Sequence, residues 1–163
     1  MNKIIFLDVD GVINLLSKQW ASHHLDHYEH FVEGFDRKSL FYLQEIVQGT
    51  GAKVVLSAAC RKIDEYCNAV YDFLKKYYNI ECIGRTPGSR DGFRGGEVYE
   101  WLNDRFGPYG QYRYAILDDE GDFFLEQLPF LFQTDPEYGI TENIAYRVKY
   151  HLNNGKGIRR KDG

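Results

Sequence analysis

At 163 residues the chain is long enough for one domain with a substantial core and short for two, and 44% apolar with 27% charged residues excludes wholesale disorder. Twenty basic against twenty-four acidic residues leave a net charge of −4, which argues against attachment to nucleic acid or an anionic membrane by bulk charge. In chain order, Ile4–Leu7 is an apolar run of buried-strand type. Residues 14–35 fit neither the helical nor the strand period and read as a small insertion over one face. Asp36 caps a predicted helix to about Gln48, with Leu40, Leu43, Ile46 and Val47 on one stripe and Gly49 and Gly51 ending it. Ala52–Leu56 is the second strand. Ile63, Tyr66, Cys67, Val70, Phe73, Leu74 and Tyr77 then recur at helical spacing, and Ile80–Ile83 is a short third strand.

A loop rich in Gly and Arg, from Gly84 to Gly96, precedes a helix carrying Val98, Trp101 and Leu102. Tyr114–Leu117 and Phe130–Phe132 complete five strands, and Thr141 caps a last helix bearing Ile144, Val148 and Leu152. Short apolar runs alternating with amphipathic ones predict an α/β, Rossmann-like fold, a central parallel sheet flanked by helices. Residues 1–152 form one domain on this reading. Residues 153–163, with Lys156, Arg159, Arg160 and Lys161, read as a basic, flexible tail whose solvation is favoured over a polyanion contact.

Cys60, Cys67 and Cys82 lack metal-ligand spacing and read as small core fillers in a reducing compartment. The apolar run before Asp8 is too short for a secretion signal, and no segment nears the roughly 20 apolar residues that span a bilayer. A cytoplasmic protein with no membrane partner is expected. The 13 Tyr, 11 Phe and 2 Trp mostly follow helix or strand periods and read as core or half-buried surface.

Three of the strand runs end in polar residues: Ile4–Leu7 in Asp8 and Asp10, Val54–Leu56 in Ser57, and Ala115–Leu117 in Asp118 and Asp119. Asp after a strand is usually a turn or capping residue. In a parallel sheet, however, all carboxyl ends share one edge, where open α/β sheets bind ligands, so these residues should converge. Four close carboxylates repel one another unless a cation sits among them. Oxygen-only ligands without adjacent His or Cys favour Mg²⁺, and Mg²⁺ on carboxylates points to phosphoryl chemistry.

Asp8-Val9-Asp10-Gly11-Val12-Ile13-Asn14 after a buried first strand resembles the first motif of the haloacid dehalogenase (HAD) superfamily of phosphotransferases. Ser57 resembles the second motif and Asp118-Asp119 the fourth, in the expected order over about Lys3 to Leu152. Several further stretches are similar to the small HAD domains of bacterial and phage proteins, including those attached to RNA-repair enzymes. They are Leu56–Arg61, Arg94–Val98 with Trp101-Leu102, Asp122-Phe123, and Thr134-Asp135 ahead of Gly139–Thr141.

The resemblance implies a HAD fold without a large cap domain and a Mg²⁺-dependent phosphomonoesterase working through an aspartyl-phosphate. Asp8 would be the nucleophile, Asp10 the general acid and base, and Ser57 a donor to phosphate. Asp8, Asp118 and the main-chain carbonyl of Asp10 would hold the metal, with Asp119 on a metal-bound water or ligating directly. Superfamily members place a Lys in the third motif, but no Lys lies between Lys76 and Lys149. The role falls to Arg94, with Arg90 and Arg85 as alternatives. Gly11 and Arg61 are the candidate substrate contacts, Arg61 reading equally well as one half of a surface ion pair.

In the insertion, His23, His27 and His30 can share one helical face with His24 nearby, a possible Zn²⁺ arrangement. A polar segment over the site, helping substrate recognition, is the favoured reading. Trp20, Tyr28 and Phe31 read as pins for the insertion rather than as a base-stacking platform. Asp122 and Asp135 are supporting acids or turn residues. The expected partner is a phosphorylated substrate: a nucleic-acid end, a nucleotide or a phosphoprotein. The alternative is a non-catalytic phosphate- or partner-binding module on the same fold. A receiver-like signalling domain fits less well, because its later-strand Asp and strand-end Lys are not visible.

Overall fold

The computed structural model describes residues 1–17, 28–89, 92–108 and 110–155. Its five strands are Asn2–Leu7 (β1), Lys53–Leu56 (β2), Cys82–Arg85 (β3), Tyr112–Asp118 (β4) and Leu131–Gln133 (β5). All neighbours pair in parallel, in the order β3-β2-β1-β4-β5. The helices described are Tyr28–Glu33 (α1), Arg37–Thr50 (α2), Asp64–Tyr78 (α3), Arg94–Phe106 (α4) and Glu142–Asn154 (α5). This is the α/β Rossmann-like arrangement that the alternating pattern predicts. None of the described helices is long and apolar enough to cross a membrane.

Successive strand residues point to opposite faces, so each strand feeds two cores. Ile5 and Leu7 join Val54, Leu56, Ala115 and Leu117 under α2, α3 and α5. Ile4 and Phe6 join Val55, Tyr114 and Ile116 under Val98 and Leu102 of α4. The second core is largely aromatic: Phe6 meets Trp101 edge-on at 5.5 Å, and Phe106 stacks on Tyr112 at 4.9 Å. Burial of each such side chain is worth about 1.5–3 kcal/mol, and no disulfide or structural metal is needed to hold a sheet covered on both sides.

Local signals set the helix ends. The Asp36 carboxylate accepts from the Ser39 amide at 2.8 Å, and Gly51 closes α2 with φ 69°. Thr141 Oγ1 accepts from the Ile144 amide at the start of α5. Several boundaries differ from the sequence reading, and the fifth strand runs Leu131–Gln133, one residue later than expected. Ile80 is not in a strand: Asn79 turns left-handed, and the amides of Asn79 and Ile80 bond back to Lys75 and Leu74, so Ile80 is the apolar plug after α3. The third strand therefore starts at Cys82 and runs through Gly84 and Arg85, where a register irregularity opposite Val54 and Val55 takes the glycine.

The predicted loop to Gly96 is also shorter, because α4 begins at Arg94. Gly95 is needed there: a Cβ on it would fall 2.6 Å from Gln127 Oε1 and 2.9 Å from the Phe124 amide. At the other end of the chain, α5 reaches Asn154, and Asn153 Oδ1 accepts from Lys3 Nζ at 2.7 Å. The basic residues beyond it lie outside the described residues. Cys67 is buried and free, and Cys82 is half-buried and free.

The described part of the insertion, α1, packs on α3. Phe31 lies 5.2 Å from the rings of Tyr66 and Phe35, and Phe35 continues to Phe73. Phe31 thus acts as a pin, as its sequence context suggests; Trp20 and the Tyr28 side chain lie outside the described residues. Removing the α2 cap by Asp36→Ala should lower stability by about 1 kcal/mol, read as a reduced urea midpoint with an unchanged slope.

Candidate active site

The β-ladder continues one residue beyond the strands. The amides of Asp8, Ser57, Thr86 and Thr134 bond to the carbonyls of Leu117, Leu7, Leu56 and Asp118 at 2.8–3.0 Å. With Asp118 itself, every strand thus ends in a buried polar residue: Thr86, Ser57, Asp8, Asp118 and Thr134 across the sheet. The two carboxylates fall at β1 and β4, where the strand order reverses and open α/β sheets form their binding crevice.

The turn after Asp8 is tightly closed. Val9 O accepts from the amides of Ile13 and Asn14 at 3.0 and 2.8 Å, and Gly11 N donates to Asn14 O at 2.8 Å. Gly11 has φ 77°, and a Cβ on it would lie 2.4 Å from Asp119 Oδ2. The bare glycine therefore lets the Asp119 carboxylate approach the turn. Thr134 Oγ1 donates to Gly11 O at 2.9 Å and ties the same turn to β5. Asp10 is half-buried and accepts from Asn14 Nδ2 at 2.7 Å.

Asp8, Asp118 and Asp119 each present a carboxylate oxygen within 4.8 Å of the others. Arg94 Nη1 lies 3.2 Å from both Asp8 Oδ1 and Asp118 Oδ2, and it donates to the Ser57 carbonyl. One guanidinium does not neutralise three acids. Burial, reinforced by the Asp118 charge, raises the Asp8 pKa well above its ordinary value, with Arg94 opposing. Asp118 is pushed up to about 7, chiefly by burial, against the pull of Arg94. Burial raises Asp119 as well. For Arg94, burial works against the charge, but Asp8 and Asp118 outweigh it and its pKa rises.

An all-oxygen donor set that still needs positive charge suits a hard divalent cation. Beside it, the Ser57 hydroxyl is buried and meets no hydrogen-bond partner among the described residues, a polar atom that a phosphate oxygen would satisfy.

The other candidates separate. Arg61 is buried, not at the surface, and its anionic neighbour is Glu97 of α4. Glu97, fully buried, also accepts from the amide and hydroxyl of Ser89 at 2.8 and 2.9 Å. Sequence reasoning placed Glu97 only within a motif stretch. Arg85 is directed to Asp64 at 2.5 Å, away from the carboxylates, and Arg90 lies outside the described residues. Asp122 accepts from the Arg94 amide at 3.4 Å at the start of α4, and Asp135 accepts from the Glu137 amide in a turn. His23, His24, His27 and the His30 side chain lie outside the described residues.

Acids after the first and fourth strands of a parallel β3-β2-β1-β4-β5 sheet, bridged by a cation from the helix after β3, define a HAD-type domain of the phosphatase-like class. The family model described as the HAD domain in Swiss Army Knife RNA repair proteins matches residues 4–145, and the chain belongs to that family. Neither a search of curated proteins nor one of solved structures returns a match.

Two outcomes test these electrostatics. The raised Asp118 pKa means that the folded chain holds a proton which the unfolded chain releases above about pH 4. That stabilising contribution is complete below the unfolded value and is lost as pH rises through about 7. Chelator-treated protein should therefore melt several degrees lower at pH 8 than at pH 5. Glu97→Gln leaves Arg61 buried without its counter-charge and should cost about 3–5 kcal/mol in chemical denaturation.

Proposed function

We propose that the domain is a Mg²⁺-dependent phosphomonoesterase that acts through an aspartyl-phosphate on Asp8. The observation that carries this reading is the meeting of Asp8, Asp118 and Asp119 oxygens within 4.8 Å, with Arg94 against the first two. Asp8, Asp118, Asp119 and the Asp10 carbonyl would hold the ion. When bound, Mg²⁺ supplies positive charge for the phosphate oxygens and for the carboxylates themselves.

Asp8 must be ionised to attack phosphorus, yet burial and Asp118 favour its neutral form. Arg94 opposes them and is placed to stabilise the charge that develops on the transferring group. As Asp8 bonds to phosphorus, the bond to the leaving oxygen breaks and Asp10 supplies that oxygen with a proton. Asp10, now ionised, then takes a proton from the water that releases phosphate. The orphaned Ser57 hydroxyl would donate to a phosphate oxygen.

Two considerations support a substrate class. The matched description names RNA repair proteins, and the sequence offers only the short insertion of residues 14–35 as cover. A site with only a modest cover admits the phosphate at the end of a polymer, so a phosphorylated nucleic-acid end is the favoured substrate.

Asp8→Asn should retain the fold by circular dichroism and lose para-nitrophenyl phosphate hydrolysis by at least about 10³-fold. Wild-type activity should disappear with chelator and return with Mg²⁺. Equal rates for wild type and Asp8→Asn would overturn the assignment. Among oligonucleotide 3′ and 5′ phosphates, nucleotides, sugar phosphates and phosphopeptides, the oligonucleotides should give the highest kcat/KM.

A further inference from the structure

We propose that Asn14 is a positioning residue for Asp10, holding one oxygen of the general acid so that the other meets the leaving oxygen. The inference rests on the phosphatase reading above. Asn14 Nδ2 lies 2.7 Å from Asp10 Oδ1. An amide nitrogen only donates, so Asp10 Oδ1 accepts and the acid's proton is left to Oδ2. The terminal torsion of an Asp side chain is broad and roughly two-fold. A single bond to Oδ1 removes that freedom and distinguishes the two oxygens.

The donor is itself held firmly. Asn14 is 1% exposed. Its amide donates to Val9 O and its carbonyl accepts from Gly11 N, both at 2.8 Å. The preceding carbonyl, Ile13 O, accepts from the Asp36 amide at 2.7 Å, which joins the turn to the capping residue of α2. The chain from a helix start through Asn14 to a half-buried carboxylate is continuous. The two backbone bonds already close the turn, and the side-chain bond goes to the carboxylate assigned the proton transfer.

The chemistry makes the role separable from the fold. The electron pair of the breaking phosphorus–oxygen bond stays on the leaving oxygen, which takes the Asp10 proton as the Asp8–phosphorus bond forms. A phenolate needs that proton, whereas a para-nitrophenolate disperses its charge and departs without it. The two esters share a ring and differ mainly in this demand.

The test measures kcat and KM of the full chain with Mg²⁺ on phenyl phosphate and on para-nitrophenyl phosphate, for wild type, Asn14→Ser and Asn14→Ala. Both variants should lose about 10–100-fold in kcat on phenyl phosphate and less than about threefold on the nitrophenyl ester, with KM unchanged. In an Asp10→Ala background, Asn14→Ala should add no further loss. Equal losses on both esters, a change confined to KM, or a further loss in the Asp10→Ala background would overturn the proposal and leave the phosphatase reading standing. Failure of both variants to fold would assign Asn14 to the fold and overturn it too. A wild type that hydrolyses neither ester would overturn the phosphatase reading and the role of Asn14 with it.

Discussion

Two carboxylates share one guanidinium at the centre of this domain, and the rest of the site is arranged around that shortage of positive charge. The parallel pairing of β1 with β4 sets Leu7 opposite Leu117, so the residues that follow, Asp8 and Asp118, have to emerge side by side. Their proximity is a consequence of register, not of loop conformation. Buried like charges are unfavourable by desolvation and by mutual repulsion, and Arg94 relieves both carboxylates only in part. The same imbalance that weakens the isolated fold is what a further cation at this edge would relieve.

Arginine meets this geometry in a way that lysine would not. From one nitrogen, Arg94 reaches Asp8, Asp118 and the Ser57 carbonyl, and its remaining N–H groups keep a fixed planar fan. It stands at the first position of α4, where a cation opposes the helix dipole. Local acids offset that cost: the Arg94 amide points at Asp122, and Glu97 occupies the same first turn. Gly95, which accepts the close approach of residues 123–127, lets the helix start come near enough to the sheet edge for the side chain to reach.

What could be read from the chain alone was whatever depends on local pattern. Strand runs, helix stripes and the caps Asp36 and Thr141 are legible because burial repeats along a strand or helix and a cap bonds three residues away. The convergence of Asp8, Ser57 and Asp118 was legible at second hand, through the rule that parallel strands share a carboxyl edge. Ile80 and Gly84 misled for one reason: an apolar plug after a left-handed turn looks like the start of a strand, and a glycine at a sheet irregularity looks like its end. The Arg61–Glu97 pair joins residues 36 apart, and nothing periodic connects them. The same is true of Thr86, which is unremarkable in sequence and acquires meaning only as the outer member, on the β3 side, of a buried polar row.

That row divides the site into parts of different stiffness. The five edge residues belong to the sheet, four of them through backbone bonds that extend its ladder and Asp118 as the last residue of β4, so their spacing is as rigid as the strands. The segments above them are held by side chains: Glu97 gathers Arg61 and Ser89 from the loops after β2 and β3, and Thr134 holds the turn at Gly11. A substitution in the sheet would shift the carboxylates together, whereas one in the buried Glu97 network would loosen the loops after β2 and β3 and leave the carboxylates in register. The acidic edge and the loops beside it are thus held by separable elements of one small fold. A fold built this way can vary the loops that Glu97 ties down without rebuilding the pair of strands that brings Asp8 to Asp118.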